Sequence, residues 1–242
     1  MTARRLILYL KLLLLFFIPL ILLEIALRIA GIGESIVYQT DPYCGYRPQP
    51  SQSFSTLGYR VNITDRGFRG PVQKSDTLCV GCSVTYGCAF VHDHDTFSAR
   101  LGALNAGVNG WGVQNMSAFL RHNTLEGVKR VLLIVPTGII FRPFTTLDKG
   151  LISTTRKIFL RTEYLLRYIW YGILQMGRTH QDSISEEAIF EDNIKAIEAI
   201  ARRCAELGID LYVISLPNKS EATGVSTKAL DYWNKLTKLL EK

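Results

Sequence analysis

An apolar block near the N-terminus constrains this chain more than any other feature. Residues 6–27 read LILYLKLLLLFFIPLILLEIAL, and only Lys11, Pro19 and Glu24 interrupt the apolar sequence. About 20 apolar residues are enough for a helix that crosses the hydrocarbon core of a bilayer, and charges near its ends can reach the headgroups. The block therefore predicts a single transmembrane helix within residues 1–30.

The residues around the block predict its orientation in the membrane and whether it is cleaved as a signal peptide. Arg4 and Arg5 precede it, and such charges favour a cytoplasmic N-terminus, so the chain after about Gly31 is expected outside the cytoplasm. The alternative is a cleaved signal peptide, which should have a shorter apolar segment followed by a small-x-small site. The best candidate, Arg28-Ile29-Ala30, has arginine where a small residue is needed, which favours an uncleaved anchor.

The charge pattern argues against a nucleic-acid partner. The formal net charge is +7, of which Arg4, Arg5 and Lys11 supply three at the extreme N-terminus. The remaining basic residues are scattered, without a run of Lys and Arg interleaved with aromatic residues. A solvated surface near an anionic membrane accounts for this balance.

The cysteines and histidines do not predict a metal site. The five cysteines are an odd number, and an oxidising compartment would permit disulfides among them. Residues 79–82 have the C-x-x-C spacing, but Cys79 lies within an apolar run and is expected to be a small core residue. Adding His92 and His94 gives no standard zinc spacing, so we expect no metal and no other cofactor.

The hydrophobic pattern divides the rest of the chain into two parts. Residues 31–75 are rich in Gly, Pro, Ser, Tyr and Arg, which indicates a stalk that leads into irregular β structure. Residues 76–242 alternate apolar strands with helices, which predicts an α/β domain whose parallel sheet is covered on both faces. The predicted strands are Thr77–Val80, Ala103–Ala106, Arg130–Val135 and Asp210–Leu216, and the predicted helices are Thr96–Leu101, Val113–Thr124, Ser185–Leu207 and Thr227–Lys242.

The basic and aromatic segment Thr154–Met176 has two interpretations. A helix of this composition can lie on a membrane surface, with its apolar side in the lipid and its basic side in the headgroups. It can equally be a helical insertion that packs on the sheet. The pattern alone does not choose between them.

Three of the predicted strands end in segments that could form a site, because ligands bind at the carboxyl ends of strands in such sheets. The first segment, residues 81–87, places Ser83 between small residues at a strand-to-helix turn, which suits a nucleophile or simply a helix cap. The second, residues 105–112, holds three glycines, which indicates a tight turn or a close approach to the backbone. The third, residues 136–140, has Thr137 as its one polar side chain.

These segments, in this order and spacing, resemble the SGNH (GDSL-like) hydrolase superfamily over residues 24–217. The family's Gly-Asp-Ser block corresponds to residues 81–87 with Cys82 in place of the aspartate, and its Asn-x-Gly-x-x-Gly block corresponds to residues 105–110. Residues 93–101 match the acidic stretch that follows the first block. The segments 23–28, 41–48 and 65–71 are similar to the leader of bacterial membrane-anchored members.

The resemblance implies a fold, an activity and a set of site residues. The fold would be a three-layer, flavodoxin-like parallel sheet, and the activity would be ester hydrolysis or O-acyl transfer on a lipid or an acylated envelope glycan. Ser83 would be the nucleophile, and its N–H and that of Gly110 would form the oxyanion hole. The side chain of Asn109 or Asn105 is a further candidate donor, by proximity alone. The domain would be periplasmic.

Two departures from the family pattern weaken the expected activity. Gly138 stands where the third block has an oxyanion-binding Asn, and losing one such donor typically costs about 10²–10³ in rate. No Asp-x-x-His block follows Asp210–Leu216, and without a base a serine is a poor nucleophile. His92 and His94 are near Ser83 in sequence but are expected to be exposed loop residues.

The sequence therefore predicts an incomplete or weakly active esterase. Either the chain is a fragment without its last block, or it is an inactive relative that binds such ligands. The alternative function is a noncatalytic envelope or polysaccharide-binding protein on the same fold. Residues 217–220 (Pro-Asn-Lys-Ser) resemble the acetyltransferase-like branch found in exopolysaccharide machines.

Overall fold

A long apolar helix opens the structure, a computed structural model that describes residues 3–88, 90–147, 155–175 and 185–240. Helix α1 runs from Ala3 to Ile29. Its segment Lys11–Ile29 is 19 residues, about 28 Å at 1.5 Å per residue, and only 6% of it is buried. By length and composition α1 can cross a membrane, as the sequence predicts.

Two β-hairpins follow α1 and pack on the main core. Strands β1 (Tyr38–Asp41) and β2 (Gly45–Pro48) are antiparallel, as are β3 (Gln52–Thr56) and β4 (Tyr59–Ile63). The second hairpin turns at Leu57 and Gly58, both with positive φ, which suits the twist of paired strands. Buried side chains from both hairpins belong to the same hydrophobic core as the sheet: Tyr38, Tyr46, Phe54, Val61 and Ile63.

Four parallel strands form the central sheet, and all four predicted strands are confirmed. In chain order they are β5 (Thr77–Gly81), β6 (Leu104–Gly107), β7 (Arg130–Pro136) and β8 (Asp210–Leu216), arranged across the sheet as β6-β5-β7-β8. Consecutive residues of β5 and β6 are buried. Since neighbouring side chains of a strand point to opposite faces, both faces of these strands are covered.

The helices between the strands lie close to their predicted positions. The predicted helices after β5 and β6 and before β8 are present, with ends that differ by one or two residues. Ser185 Oγ accepts a hydrogen bond of 3.1 Å from the N–H of Ala188 and so caps the long helix before β8. The helices after α1 are α2 (Ser83–Tyr86), α3 (Phe97–Arg100), α4 (Val113–His122), α5 (Arg161–Gln175), α6 (Glu186–Glu206), α7 (Lys219–Ala222) and α8 (Lys228–Leu240).

Glycine lets the segment after β5 pack directly against β6. A Cβ atom at Gly107 would clash with the backbone nitrogen of Tyr86, and one at Gly81 would overlap the side chain of Thr85. These contacts hold α2 against the carboxyl end of β6 and fix Ser83 at the edge of the sheet, where β5 ends.

The basic and aromatic segment forms α5, which packs against α1. Glu24 of α1 accepts hydrogen bonds from the N–H groups of Arg161 (3.0 Å) and Thr162 (2.9 Å), and thereby satisfies the free donors at the start of α5. The ends of the predicted segment, Thr154 and Met176, lie outside the described residues.

All five cysteines are free thiols, and four are buried. Cys79 is fully buried in β5, as expected for a core residue, and burial raises its pKa to about 11. In the described part of the chain, no three His, Cys, Asp or Glu side chains come together as metal ligands.

Candidate functional site

Ser83 is the first residue of α2 and lies directly after the buried strand β5. Its side chain is partly exposed, and its Oγ forms no hydrogen bond with any residue that the structure describes. Gly87 ends α2 with a positive φ of 83°, so the chain turns away after a single helical turn. Ser83 therefore presents an unpaired hydroxyl at the carboxyl edge of the sheet.

Ser83 opens into a cavity of about 430 Å³ whose lining is mainly apolar. The walls come from residues 31–75, which we call the leader, from the segments after β5 and β6 and from α5. We call this space the Ser83 cavity; its lining residues are Glu34, Ser35, Ile36, Tyr38, Phe54, Thr56, Leu57, Ser83, Tyr86, Cys88, Phe90, Asn109 and Tyr164. An apolar cavity with a few polar groups is typical of a small-molecule site.

Asn109 shares the Ser83 cavity and is held by two tyrosines of the leader. Its Nδ2 donates to Tyr38 Oη at 3.0 Å, and its carbonyl oxygen accepts a hydrogen bond of 2.7 Å from Tyr46 Oη. Burial raises the pKa of Tyr38 well above its ordinary value, so this tyrosine stays neutral. The leader thus positions the second strand end relative to the first.

Two buried polar atoms of the cavity lining have no partner among the described residues: Asn109 Oδ1 and Tyr86 Oη. Buried polar atoms in folded proteins are nearly always hydrogen-bonded, so an unpaired pair beside Ser83 calls for a ligand or water. If the amide oxygen and nitrogen of Asn109 are exchanged, Tyr38 donates to Asn109 and the free atom becomes an N–H donor. In either arrangement one buried polar atom of Asn109, a residue of the cavity lining, has no partner among the described residues.

Gly110 follows Asn109 but does not itself line the Ser83 cavity. Its φ is +85°, and a Cβ atom there would lie 2.5 Å from Tyr46 Oη, so glycine is required. Its carbonyl oxygen accepts a hydrogen bond of 3.1 Å from Thr145 Oγ1, while its N–H donates to no described residue. The structure thus brings Ser83 and Asn109 into one cavity and places Gly110 next to it.

Asn105 is a structural residue and has no donor left for a ligand. Its Nδ2 donates to the Thr85 carbonyl and to Ser98 Oγ, both at 2.8 Å, and its Oδ1 accepts the Gly107 N–H at 3.0 Å. Of the two asparagines proposed as side-chain donors, only Asn109 is therefore free to contact a ligand.

A histidine base is not part of the described lining of the Ser83 cavity. His92 and His94 stack on each other at 5.4 Å, and His92 also contacts the ring of Tyr59. The side chain of His94 is 74% exposed, as expected for a loop residue. Neither ring is part of the described lining of the Ser83 cavity.

Asp93, between the two histidines, forms a buried ion pair that sequence reasoning missed. Arg69 Nε donates to Asp93 Oδ1 at 3.0 Å, and the two side chains are 0% and 7% exposed. The guanidinium also donates to the carbonyls of residues 86, 88 and 91, and Asp93 Oδ2 accepts from the N–H and Nδ2 of Asn62. The pair fixes the loop that leaves α2 and so supports one wall of the Ser83 cavity.

At the third strand end, after β7, the polar side chain of Thr137 is hydrogen-bonded to another part of the chain. Thr137 Oγ1 donates to Glu221 Oε2 at 2.5 Å, and the same carboxylate accepts from the N–H of Asn218 and from Thr227 Oγ1. The hydrogen bond from Thr137 is the main cause that lowers the pKa of Glu221 below its ordinary value. Because three donors from within the fold bond to this carboxylate, it is held as a structural anion and is not a free base. Gly138 faces open space, since a Cβ atom there would have no described atom within 4 Å.

Cys88 is a second nucleophile in the lining of the Ser83 cavity. Its thiol donates to the carbonyl oxygen of Ser83 at 3.5 Å. Burial raises the pKa of Cys88, which keeps the thiol protonated and lowers its reactivity. No motif in the sequence distinguishes this cysteine, and its role depends on its position beside Ser83.

Comparison with models of protein families, with curated protein sequences and with solved structures found no match to this chain.

Proposed function

We propose that this chain binds acyl esters in the Ser83 cavity and transfers the acyl group to Ser83 slowly, as a weakly active SGNH-type esterase or acyltransferase. The observation that carries the proposal is the Ser83 hydroxyl, which has no hydrogen-bond partner among the described residues. It lies at the edge of a mainly apolar cavity whose lining also holds the unpaired amide oxygen of Asn109. An acyl chain fits the apolar walls, and the ester carbonyl needs polar contacts of this kind.

The strand order supports an SGNH-type fold. Numbered along the chain, the four parallel strands are arranged 2-1-3-4, which is the start of the flavodoxin-like order 2-1-3-4-5. In that order the ligand site lies between the first and third strands, at their carboxyl ends. β5 is the first strand here, and Ser83 follows it directly.

The chemistry assigned to each group follows from its place. Ser83 Oγ attacks the ester carbonyl, and the N–H group of Ser83, with that of Gly110 next to the cavity, stabilises the oxyanion that forms. The Asn109 side chain adds to this through its amide N–H, since its oxygen is an acceptor. The alcohol leaves with the proton that Ser83 loses. Because the described lining places no imidazole at Ser83, both the formation and the hydrolysis of the acyl-serine are slow.

The test is turnover of p-nitrophenyl acetate by the purified chain in detergent. We expect a low rate that Ser83→Ala abolishes and that Ser53→Ala, at an exposed position outside the Ser83 cavity, leaves unchanged. Equal rates in the wild type and Ser83→Ala would contradict catalysis at Ser83. If the ester protects the chain from unfolding without Ser83-dependent turnover, the alternative, a noncatalytic envelope-binding protein, is supported instead.

The proposal includes a location. Arg4 and Arg5 before α1 favour a cytoplasmic N-terminus, so α1 anchors the chain as a single pass and the Ser83 cavity faces the periplasm. The ligands in reach there are membrane lipids, acylated envelope glycans and small acyl esters.

A further inference from the structure

Helix α5 exposes a continuous apolar stripe. The side chains of Leu166, Ile169, Trp170 and Ile173 are between 49% and 67% exposed. Their spacing of i, i+3, i+4 and i+7 places them on one face of the helix. Soluble proteins rarely leave such a face open to water, so the stripe calls for an apolar partner.

The charges of the same segment indicate the kind of partner. Residues 155–175 contain four basic side chains and a single acidic one, Glu163, which pairs with Arg156 at 2.5 Å and with Arg167 at 2.7 Å. Two of the four basic side chains, Arg156 and Lys157, precede the helix, and within it Arg161 pairs with Glu34 at 3.1 Å. An apolar stripe with Trp and Tyr, next to basic residues, is the pattern of helices that lie in the interface of anionic bilayers.

The start of α5 is tied to the C-terminal end of the apolar helix α1. Besides the two hydrogen bonds that Glu24 accepts from α5, Arg28 donates to the carbonyl of Phe159 at 2.8 Å. Phe159 is 81% exposed. Where α1 leaves the bilayer, these bonds hold the first turn of α5 at the same depth, so α5 continues the membrane contact of α1.

The same helix supplies a wall of the Ser83 cavity through Tyr164, and the cavity lining also includes two exposed apolar residues, Leu57 and Phe90. The cavity therefore lies between the sheet edge and the segment that faces the bilayer. Tyr164 precedes Leu166 by two residues, about 200° of helix rotation, so the face of α5 that lines the cavity is opposite the stripe.

From this arrangement we infer that α5 lies in the lipid–water interface of an anionic bilayer, and that the Ser83 cavity takes its acyl group from a lipid of that bilayer. The first part stands on α5 and α1 alone. The second part rests on the proposed function, because it names the lipid as the acyl donor.

The first part is tested by fluorescence quenching in vesicles. Trp170 is the exposed one of the three tryptophans, since Trp111 is 0% and Trp233 is 7% exposed. The full chain is reconstituted in vesicles of phosphatidylglycerol and phosphatidylcholine. We expect that lipids brominated on the acyl chain quench its tryptophan fluorescence, and that Trp170→Phe removes most of this quenching. Quenching by aqueous iodide instead of brominated lipid would overturn the inference.

A matched pair of variants distinguishes the membrane contact of the α5 stripe from membrane attachment through α1. The triple variant Leu166→Ser, Ile169→Ser and Ile173→Ser should lose the quenching of Trp170 while α1 still carries the protein to the top of a vesicle flotation gradient. Leu207→Ser removes an exposed apolar side chain after α6 and should leave the quenching unchanged. Unaltered quenching in the triple variant would contradict insertion of the stripe.

The second part is tested with two esters. Acyl transfer to Ser83 from an ester embedded in the vesicle should be lost in the triple variant, and transfer from soluble p-nitrophenyl acetate should be retained. If the triple variant still transferred the acyl group from both esters, the inference that a membrane lipid is the donor would be wrong. Absence of both in the wild type, with Trp170 still quenched, would refute the proposed function and leave the membrane contact of α5 intact.

Discussion

At the scale of single residues, the Ser83 cavity depends on side chains that never contact a ligand. Arg69 and Asp93 are 24 positions apart, and their buried pair ties the loop after α2 to the leader. Ser83 and Asn109, which line one cavity, could be proposed from the sequence, because a Gly-x-Ser turn and a glycine-rich turn are local signals. Sequence reasoning missed the ion pair, because no local pattern tells which of many charged residues meet inside the fold.

Replacing Arg69 should therefore destabilise the protein strongly. Arg69→Met leaves the Asp93 carboxylate buried without its cation, and breaking such a buried pair costs about 3–5 kcal/mol. The measurement is the free energy of unfolding from urea titration in detergent. Arg130→Met is the matched control, since its pair with Asp76 is 2.8 Å long but about half exposed, and it should change stability little. Similar losses in both variants would contradict the structural role of the Arg69–Asp93 pair.

At the scale of elements, the strands were predictable; for α5 the helix was predictable, but what its apolar face contacts was not. Strands β5, β6 and β7 are short apolar runs that the sheet mostly buries, so composition and burial agree there. The edge strand β8 was also predicted from its apolar residues, but its side chains are only partly buried or exposed, among them Tyr212 and Ile214. For α5, the amphipathic pattern is the same whether its apolar face meets lipid or a protein core. Only the contact of Glu24 with the start of α5 and the exposure of Trp170 favour the membrane.

The link between β7 and α7 predicts a pH effect. Hydrogen bonds, first of all from Thr137, lower the pKa of Glu221 in the folded chain, so the ionised carboxylate contributes stability above its unfolded pKa. That contribution is lost as the pH falls through the folded pKa. Glu221→Gln should therefore flatten the acid side of the stability–pH curve relative to the wild type. A curve of unchanged slope below the ordinary pKa of glutamate would show that Glu221 is not stabilised as an anion.

At the scale of the whole molecule, the chain joins one membrane-length helix to a sheet whose candidate site lies near that helix. The sequence predicted both parts, because an apolar block and alternating strands and helices are patterns over many residues. How they are joined was beyond the sequence, since it depends on the hydrogen bonds that Glu24 accepts from Arg161 N–H and that Arg28 donates to the Phe159 carbonyl.

The proposed orientation has a direct check in cells. Because Arg4 and Arg5 should retain the N-terminus in the cytoplasm, a reporter enzyme that is active only in the cytoplasm should be silent when fused after Lys242. The same reporter fused before Met1 should be active. Activity of the C-terminal fusion would reverse the topology and remove the Ser83 cavity from the periplasm.

The central claim is that Ser83 accepts an acyl group inside its cavity, and mass spectrometry of the intact chain tests it most directly. Because no described imidazole is placed to activate water, the acyl-serine should accumulate once formed. After incubation with p-nitrophenyl octanoate and an acid quench, we expect one octanoyl group on the peptide that contains Ser83. It should persist in Cys88→Ala and be absent from Ser83→Ala. An adduct on Cys88 alone, or no adduct in the cavity lining, would contradict the account.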